Sequence, residues 1–176
     1  MDPSGYPISR QQCDWFYRRS GVLMRSGDML NSGWWEEGLG EYLAANLVPE
    51  AARDLGFSDD RVRLAVAHAG LREGRKISDW DLCAAVASSV TGLPAEQILK
   101  RARSPEVEAR VREDTRTFHS FKATQRPTFV LENRIGDRAM VSGLASFAPL
   151  RAVADTMLAD VKGYDSFAAH FGDPPK

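Results

Sequence analysis

Two cysteines, three histidines and one short proline segment are the residues of this chain whose chemistry has to be asked about first. Cys13 and Cys83 are far apart in sequence and form no C-x-x-C pair, so they supply neither a disulfide framework nor the paired thiolates of a zinc site. A dithiol that exchanges disulfides needs two thiols within reach of each other, with the attacking thiolate favoured by a helix N-terminus. Cys13-Asp14-Trp15-Phe16 comes nearest to such a motif, but Phe16 stands where the second cysteine would be. Cys13 is therefore the candidate nucleophile, acting alone from about one turn inside a helix. Its competing reading is a buried thiol behaving as a small hydrophobe. Cys83, between Leu82 and Ala84, reads as core. His68, His119 and His170 have no metal-ligand spacing, and no metal site is expected. No Gly-rich phosphate loop, nucleophile elbow or H-E-x-x-H occurs, so nucleotide hydrolysis, α/β-hydrolase and zincin chemistry have no residues to carry them.

The elements that must position these residues are mostly helices. Ser9 is placed to cap a first helix with Cys13, Phe16, Tyr17 and Met24 at helical spacing, ended by Gly27. Asn31 to Gly40 opens with turn chemistry and a Ser32 cap, and Leu39, Tyr42, Leu43 and Leu47 continue a helical stripe that its glycines weaken. A separate helix is expected from Pro49 to Leu55, closed by Gly56. Another, capped by Ser58, carries Val62, Ala65, Val66 and Ala69. Ser78-Asp79-Trp80-Asp81 has capping-box spacing ahead of a helix that runs to Gly92. Ala95 to Arg103 and a longer segment from Ser104-Pro105 complete the helical series. The period then changes. Pro127 to Leu131 and Arg138 to Val141 read as a hairpin around Asn133 and Gly136. After Gly143, Leu150, Val153, Ala154, Met157, Leu158 and Val161 make an amphipathic stripe that Gly163 is expected to stop, with a short terminal helix after it. The paired Trp34-Trp35 reads as a packing anchor, or else as a clamp beside a pocket.

Composition narrows the class further. The chain has 176 residues, 43% of them hydrophobic and 27% charged, which suits one compact unit or one core carrying a large insertion. Lys and Arg (23) nearly cancel Asp and Glu (24), so no global field exists to hold nucleic acid or an anionic membrane surface. The basic residues between Lys100 and Arg116 alternate with acids, as on a solvated, pair-laced helix. No secretory leader or transmembrane run is visible, and the sparse, unpaired cysteines suit a reducing cytoplasm.

A hairpin entered through X-Pro-Thr, left through Ser142-Gly143 and followed by one amphipathic helix resembles the ββα closing unit of a thioredoxin-like fold. With several helices before it, the chain is similar to the DsbA family, in particular to its cytoplasmic branch of FrnE-like and 2-hydroxychromene-2-carboxylate isomerase-like proteins. The resemblance covers roughly Glu50 to Leu158. It is carried by Leu71-Arg72-Glu73-Gly74-Arg75-Lys76-Ile77-Ser78-Asp79, Gln125-Arg126-Pro127-Thr128-Phe129-Val130 and Val141-Ser142-Gly143. It implies an α-rich α/β protein with a large helical insertion, a cis peptide at Arg126-Pro127, and a substrate-binding loop of Gln125, Arg126, Pro127 and Thr128 facing the reactive cysteine. The family's first strand and its C-x-x-C, or the serine of the isomerase branch, are not recognisable, so the N-terminal βαβ half is truncated or degenerate.

The domains implied are an N-terminal helical region at 1–48, a helical insertion at 49–123, the ββα unit at 124–163 and a short helix and tail at 164–176. Two functions follow from the resemblance. One is thiol-disulfide exchange with a protein substrate, or a glutathione-dependent isomerase-type reaction on a small molecule, where glutathione is the only cofactor implied. The other is a non-catalytic binding or dimeric assembly module that keeps the groove and has lost the C-x-x-C centre. Loss of a central strand exposes an edge of the Thr128 to Leu131 strand, so either a homodimer or a strand-donating partner is expected.

Overall fold

The computed structural model describes residues 9–24, 31–123, 127–143 and 146–172. The chain divides into two compact units, Met1–Thr117 and Phe118–Lys176, and each is described by itself.

The first unit is helical. Helices α1 (Arg10–Met24), α2 (Leu43–Asp54), α3 (Arg61–Ala67), α4 (Trp80–Thr91), α5 (Ala95–Ala102) and α6 (Pro105–Ser120) follow in order, with a single π-helical turn, His68–Arg72, extending α3. Helices α2, α3, α4 and α5 pack on one another around Leu47, Val48, Val62, Cys83 and Ile98, with Val107 of α6 in the same cluster. Each fully buried aliphatic side chain here stabilises by about 1.5–3 kcal/mol, against 0–1 kcal/mol for an exposed ion pair. Burial therefore sets the arrangement and the surface charges adjust it.

Three sequence expectations change in register. Residues 31–42 form turns, not the start of a helix, with Trp35 N–H bonding Ser32 O and Leu39 N–H bonding Glu36 O. Ser32 caps nothing; its hydroxyl donates to the Asp14 carboxylate. The separate helix expected at Pro49 is the second half of α2, with Pro49 inside it. An interior proline forfeits one ladder bond and costs about 3 kcal/mol. Burial of Leu47, Val48, Ala51 and Ala52 on either side outweighs that loss. The cap of α4 is Asp79, whose carboxylate accepts from Asp81 and Leu82 N–H, while Ser78 turns away to donate to Glu36. Gly92 ends α4 at φ +75°, as its position suggested.

A second, smaller cluster holds α1 to the turn region through Cys13, Trp34 and Trp35, with Tyr17, Tyr42, Leu71 and Ile77 against it. Trp34 stacks edge-on between Tyr17 and Tyr42, at ring centroid distances of 5.2 and 5.0 Å. The turn is seated by a close backbone approach: Asn31 N–H bonds Leu71 O at 3.0 Å, and the Asn31 amide lies against Gly74.

The second unit holds strands β1 (Thr128–Glu132) and β2 (Arg138–Ser142), an antiparallel pair, followed by helix α7 (Ala148–Phe171). Gly163 does not stop this helix, which continues to a cap at Gly172. One glycine costs a helix only about 1 kcal/mol, and the residues on both sides of Gly163 keep helical spacing. No described residue of this unit is fully buried. Among the described residues no helix is long and apolar enough to cross a membrane.

Two predictions follow from these contacts. Gly74 has φ +71°, and a Cβ there would overlap the Asn31 amide, whereas Gly38 has φ +76° and open space around it. Gly74→Ala combines strain and overlap, while Gly38→Ala carries strain alone, about 1–2 kcal/mol. Thermal unfolding followed by circular dichroism should show the larger loss of Tm for Gly74→Ala, and equal losses would remove the close approach as a constraint. Asp54 accepts from Arg110 Nη2 at 2.9 Å and Arg101 Nε at 2.6 Å, joining α2 to α5 and α6, and these bonds, Arg110's first, lower its pKa. A carboxyl depressed in the folded state stabilises above its unfolded pKa of about 3.9 and loses that contribution as pH falls through the folded value. The Tm difference between wild type and Asp54→Asn should therefore be full at pH 7 and shrink steadily below about pH 4. A difference independent of pH would mean the charge plays no part.

Candidate functional site

Backbone pairing in the hairpin decides which groups it leaves open. Pro127 O accepts from Gly143 N–H at 2.9 Å, and Asn133 N–H donates to Asp137 O at 3.1 Å. With the register Phe129 opposite Val141 and Leu131 opposite Ala139, the odd-numbered residues of β1 face β2 with both backbone groups. Val130 and Glu132 consequently direct N–H and C=O to the other edge, where no strand pairs with them among the described residues. The turn is locked by Asn133, whose side-chain oxygen accepts from Ile135 and Asp137 N–H, with Gly136 at φ +94°. Pro127 sits ahead of the first strand residue, where a missing N–H costs one ladder bond at most. Thr128 and Ser142 share a hydroxyl hydrogen bond of 3.0 Å across the pair.

Along the open edge lies a groove of about 640 Å³. Its floor is four consecutive residues, Thr128 to Leu131, and its wall is a face of α7 that includes Phe147, Leu150 and the Arg151–Asp155 pair, separated by 3.6 Å. Successive strand residues point to opposite faces, so a groove touching four in a row follows the strand's edge. Phe129 is 39% exposed, Val130 37% and Phe147 70%. Such a surface can take an extended chain, with main-chain hydrogen bonds to Val130 and Glu132 and apolar contacts to α7.

The thiols are differently placed. Cys13 is fully buried, packed with Trp34 and Trp35, and its N–H bonds Ser9 O at 3.0 Å. Burial pushes its thiol up to about 11, with Arg10 opposing and Asp14 adding to the rise. The thiol therefore keeps its proton at neutral pH. Cys83 is also fully buried, donates to Ile77 O at 3.2 Å, and is pushed up to about 12 by burial and then by Asp79. The two cysteines are free. The described residues contain no group of three or more His, Cys, Asp or Glu side chains able to hold a metal ion.

Of the residues singled out in the sequence, Pro127 and Thr128 lie together at the head of β1, and Cys13 belongs to the first unit. Gln125 and Arg126, with the peptide expected to be cis, lie outside the described residues. Trp34 and Trp35 are core, and both indole N–H groups are buried without a hydrogen-bond partner among the described residues. The α7 wall was missed. Its signal is the spacing Phe147, Leu150, Arg151, Ala154, Asp155, a helical face offset from the apolar stripe.

A family model described as "DSBA-like thioredoxin domain" matches residues 38–153, about two thirds of the chain. The match takes in α2 to α6, the hairpin and the start of α7, and it begins after Cys13. No curated protein matches the chain.

The state of the thiols is directly measurable. Iodoacetamide at pH 7.5 should leave Cys13 and Cys83 unlabelled in the native protein and label both in denaturant, as read by mass spectrometry. Labelling of native Cys13 at the rate of a free thiol would show that its enclosure opens.

Proposed function

The chain belongs to the family of DSBA-like thioredoxin domains, and from that premise we propose that it acts as a binding member of this oxidoreductase family. In this reading it holds an extended polypeptide segment along β1 without exchanging disulfides through Cys13 or Cys83. One contrast carries the reading: the strand edge with its apolar groove is open, while both thiols are enclosed and protonated. A nucleophilic thiol must be ionised and reachable, and these two are neither. An edge strand, by contrast, needs only unpaired backbone groups and an adjoining apolar wall to recruit a partner. The partner is a protein segment, either a second copy of the chain or a strand donated by another protein. A cytoplasmic location belongs to the same proposal, since reduced, unpaired thiols are the ordinary state there.

Two assays separate this from thiol chemistry. Insulin reduction and glutathione-dependent turnover should run at the background rate for wild type and Cys13→Ser alike. A turnover that Cys13→Ser abolishes would return the protein to the catalytic side of its family. Binding is read by fluorescence anisotropy, at low protein concentration, with a labelled peptide copying residues 127–133. Leu150→Asp, which puts a charge in the apolar wall, should weaken binding tenfold or more. Binding unchanged by that substitution would place the peptide elsewhere.

A further inference from the structure

We propose that the segment occupying this groove is β1 of a second copy of the same chain, paired antiparallel about a two-fold axis at Leu131. The proposal rests on the groove reading above and names its partner. An antiparallel pair centred on Leu131 sets Val130 against Glu132 of the second copy and Glu132 against its Val130. By the alternation of the register both residues direct their backbone groups to the open edge, as Thr128 does at its start, so the arrangement forms four new hydrogen bonds and leaves the β2 ladder intact. The two Leu131 side chains meet in the close, non-hydrogen-bonded position, where apolar cross-strand pairs contribute most. No like charges are opposed directly. Glu132 faces Val130 and is already held by Arg138 Nη2 at 2.7 Å on its own hairpin.

The placement of α7 leads to the same axis. Asn133 Nδ2 donates to Met157 O at 3.4 Å, which sets the end of β1 beside Met157. The groove places the earlier strand residues beside earlier residues of α7, so strand and helix advance together. Leu131 is two residues back, about 6.6 Å along the strand. That distance is between four and five residues of helix at about 1.5 Å each, which brings the axis level with Val153. Val153 is the midpoint of the Arg151–Asp155 pair. A two-fold axis there sets the two α7 helices antiparallel and brings Arg151 of each copy against Asp155 of the other. Small Ala154 next to the axis allows close approach. The groove is thus self-complementary in hydrogen bonds, in apolar side chains and in charge. A net charge of −1 per chain gives two copies little reason to repel.

Pairing also supplies what the second unit lacks. A two-stranded sheet is marginal in water, and three or more strands with an apolar face are needed for stability. Among the described residues the unit has two strands and no fully buried residue. Two copies make a continuous four-stranded sheet, β2-β1-β1-β2, with both helices on one face.

Sedimentation velocity of the full chain between 1 and 100 µM tests this, with the chain mass of 19.5 kDa setting the monomer reference. Wild type is expected to sediment as a dimer. Arg151→Asp and Asp155→Arg should each be monomeric, since each sets like charges across the axis. Mixing those two variants should restore a heterodimer, a result that a folding defect in either would not give. Leu131→Cys should form an intermolecular disulfide in oxidised glutathione, whereas Met140→Cys, on exposed β2, should not. A wild type that stays monomeric at 100 µM, or variants that mix without associating, overturns the proposal. If that monomer still binds the 127–133 peptide, the groove reading stands and only the second copy is excluded; if it binds none, both fall.

Discussion

Among the described residues hydrophobic burial is confined to one stretch of the chain, and most other features follow from that confinement. Every fully buried side chain among the described residues lies between Cys13 and Val107. There α2, α4 and α5 present small and branched residues, Val48, Ala51, Ala52, Ala84, Ala87 and Ala102, which let the helix backbones approach closely. That closeness makes room for Pro49 inside α2 and sets Ile77 to serve both hydrophobic clusters at once. It also fixes the state of the thiols. A cysteine placed where packing is densest loses access to solvent and keeps its proton, and Cys13 and Cys83 both sit in such places.

The second unit obeys the opposite constraint. Its hairpin is well specified locally, by the Asn133 turn, the Thr128–Ser142 hydroxyl pair and the Glu132–Arg138 ion pair. Its apolar side chains are nonetheless half open, and Phe147 just ahead of α7 and Leu158, Phe167 and Phe171 on it are more than half exposed. Local hydrogen bonds hold the shape of a hairpin but contribute only about 0.5–1.5 kcal/mol each. Apolar surface that a unit cannot cover internally is surface available for recognition, and soluble proteins seldom leave large continuous patches of it without a use.

How legible these features were in the sequence depended on the range of the interaction behind them. The hairpin could be read because alternation, Asn133 and Gly136 act within a dozen residues, and Gly92 could be read as a stop because an αL cap is a local event. Ser78 and Ser32 misled because both have the chemistry of a cap, yet Glu36 and Asp14, distant in sequence, take their hydroxyls. Pro49 and Gly163 are local breakers overruled by what surrounds them, buried packing in one case and sustained helical spacing in the other. The groove was half legible. Thr128 could be placed from its motif, but the wall formed by Phe147, Leu150 and Arg151 depends on how α7 lies against β1, which no local pattern encodes.

A redox centre and a docking edge have different physical requirements. A redox centre needs a thiolate, and therefore an electropositive, solvent-reachable cysteine whose placement a few buried contacts can destroy. A docking edge needs backbone groups left over by an odd-even register, and those groups turn only if the register itself slips. Substitution thus erodes the first device faster than the second. The N–H and C=O groups of Val130 and Glu132 keep their direction whichever side chains surround them, because only a change in strand register would turn them. In this protein Asn133, Gly136 and the Pro127–Gly143 bond pin that register from both ends of the hairpin. The direction of the edge groups is accordingly held by the hairpin itself and does not depend on either thiol.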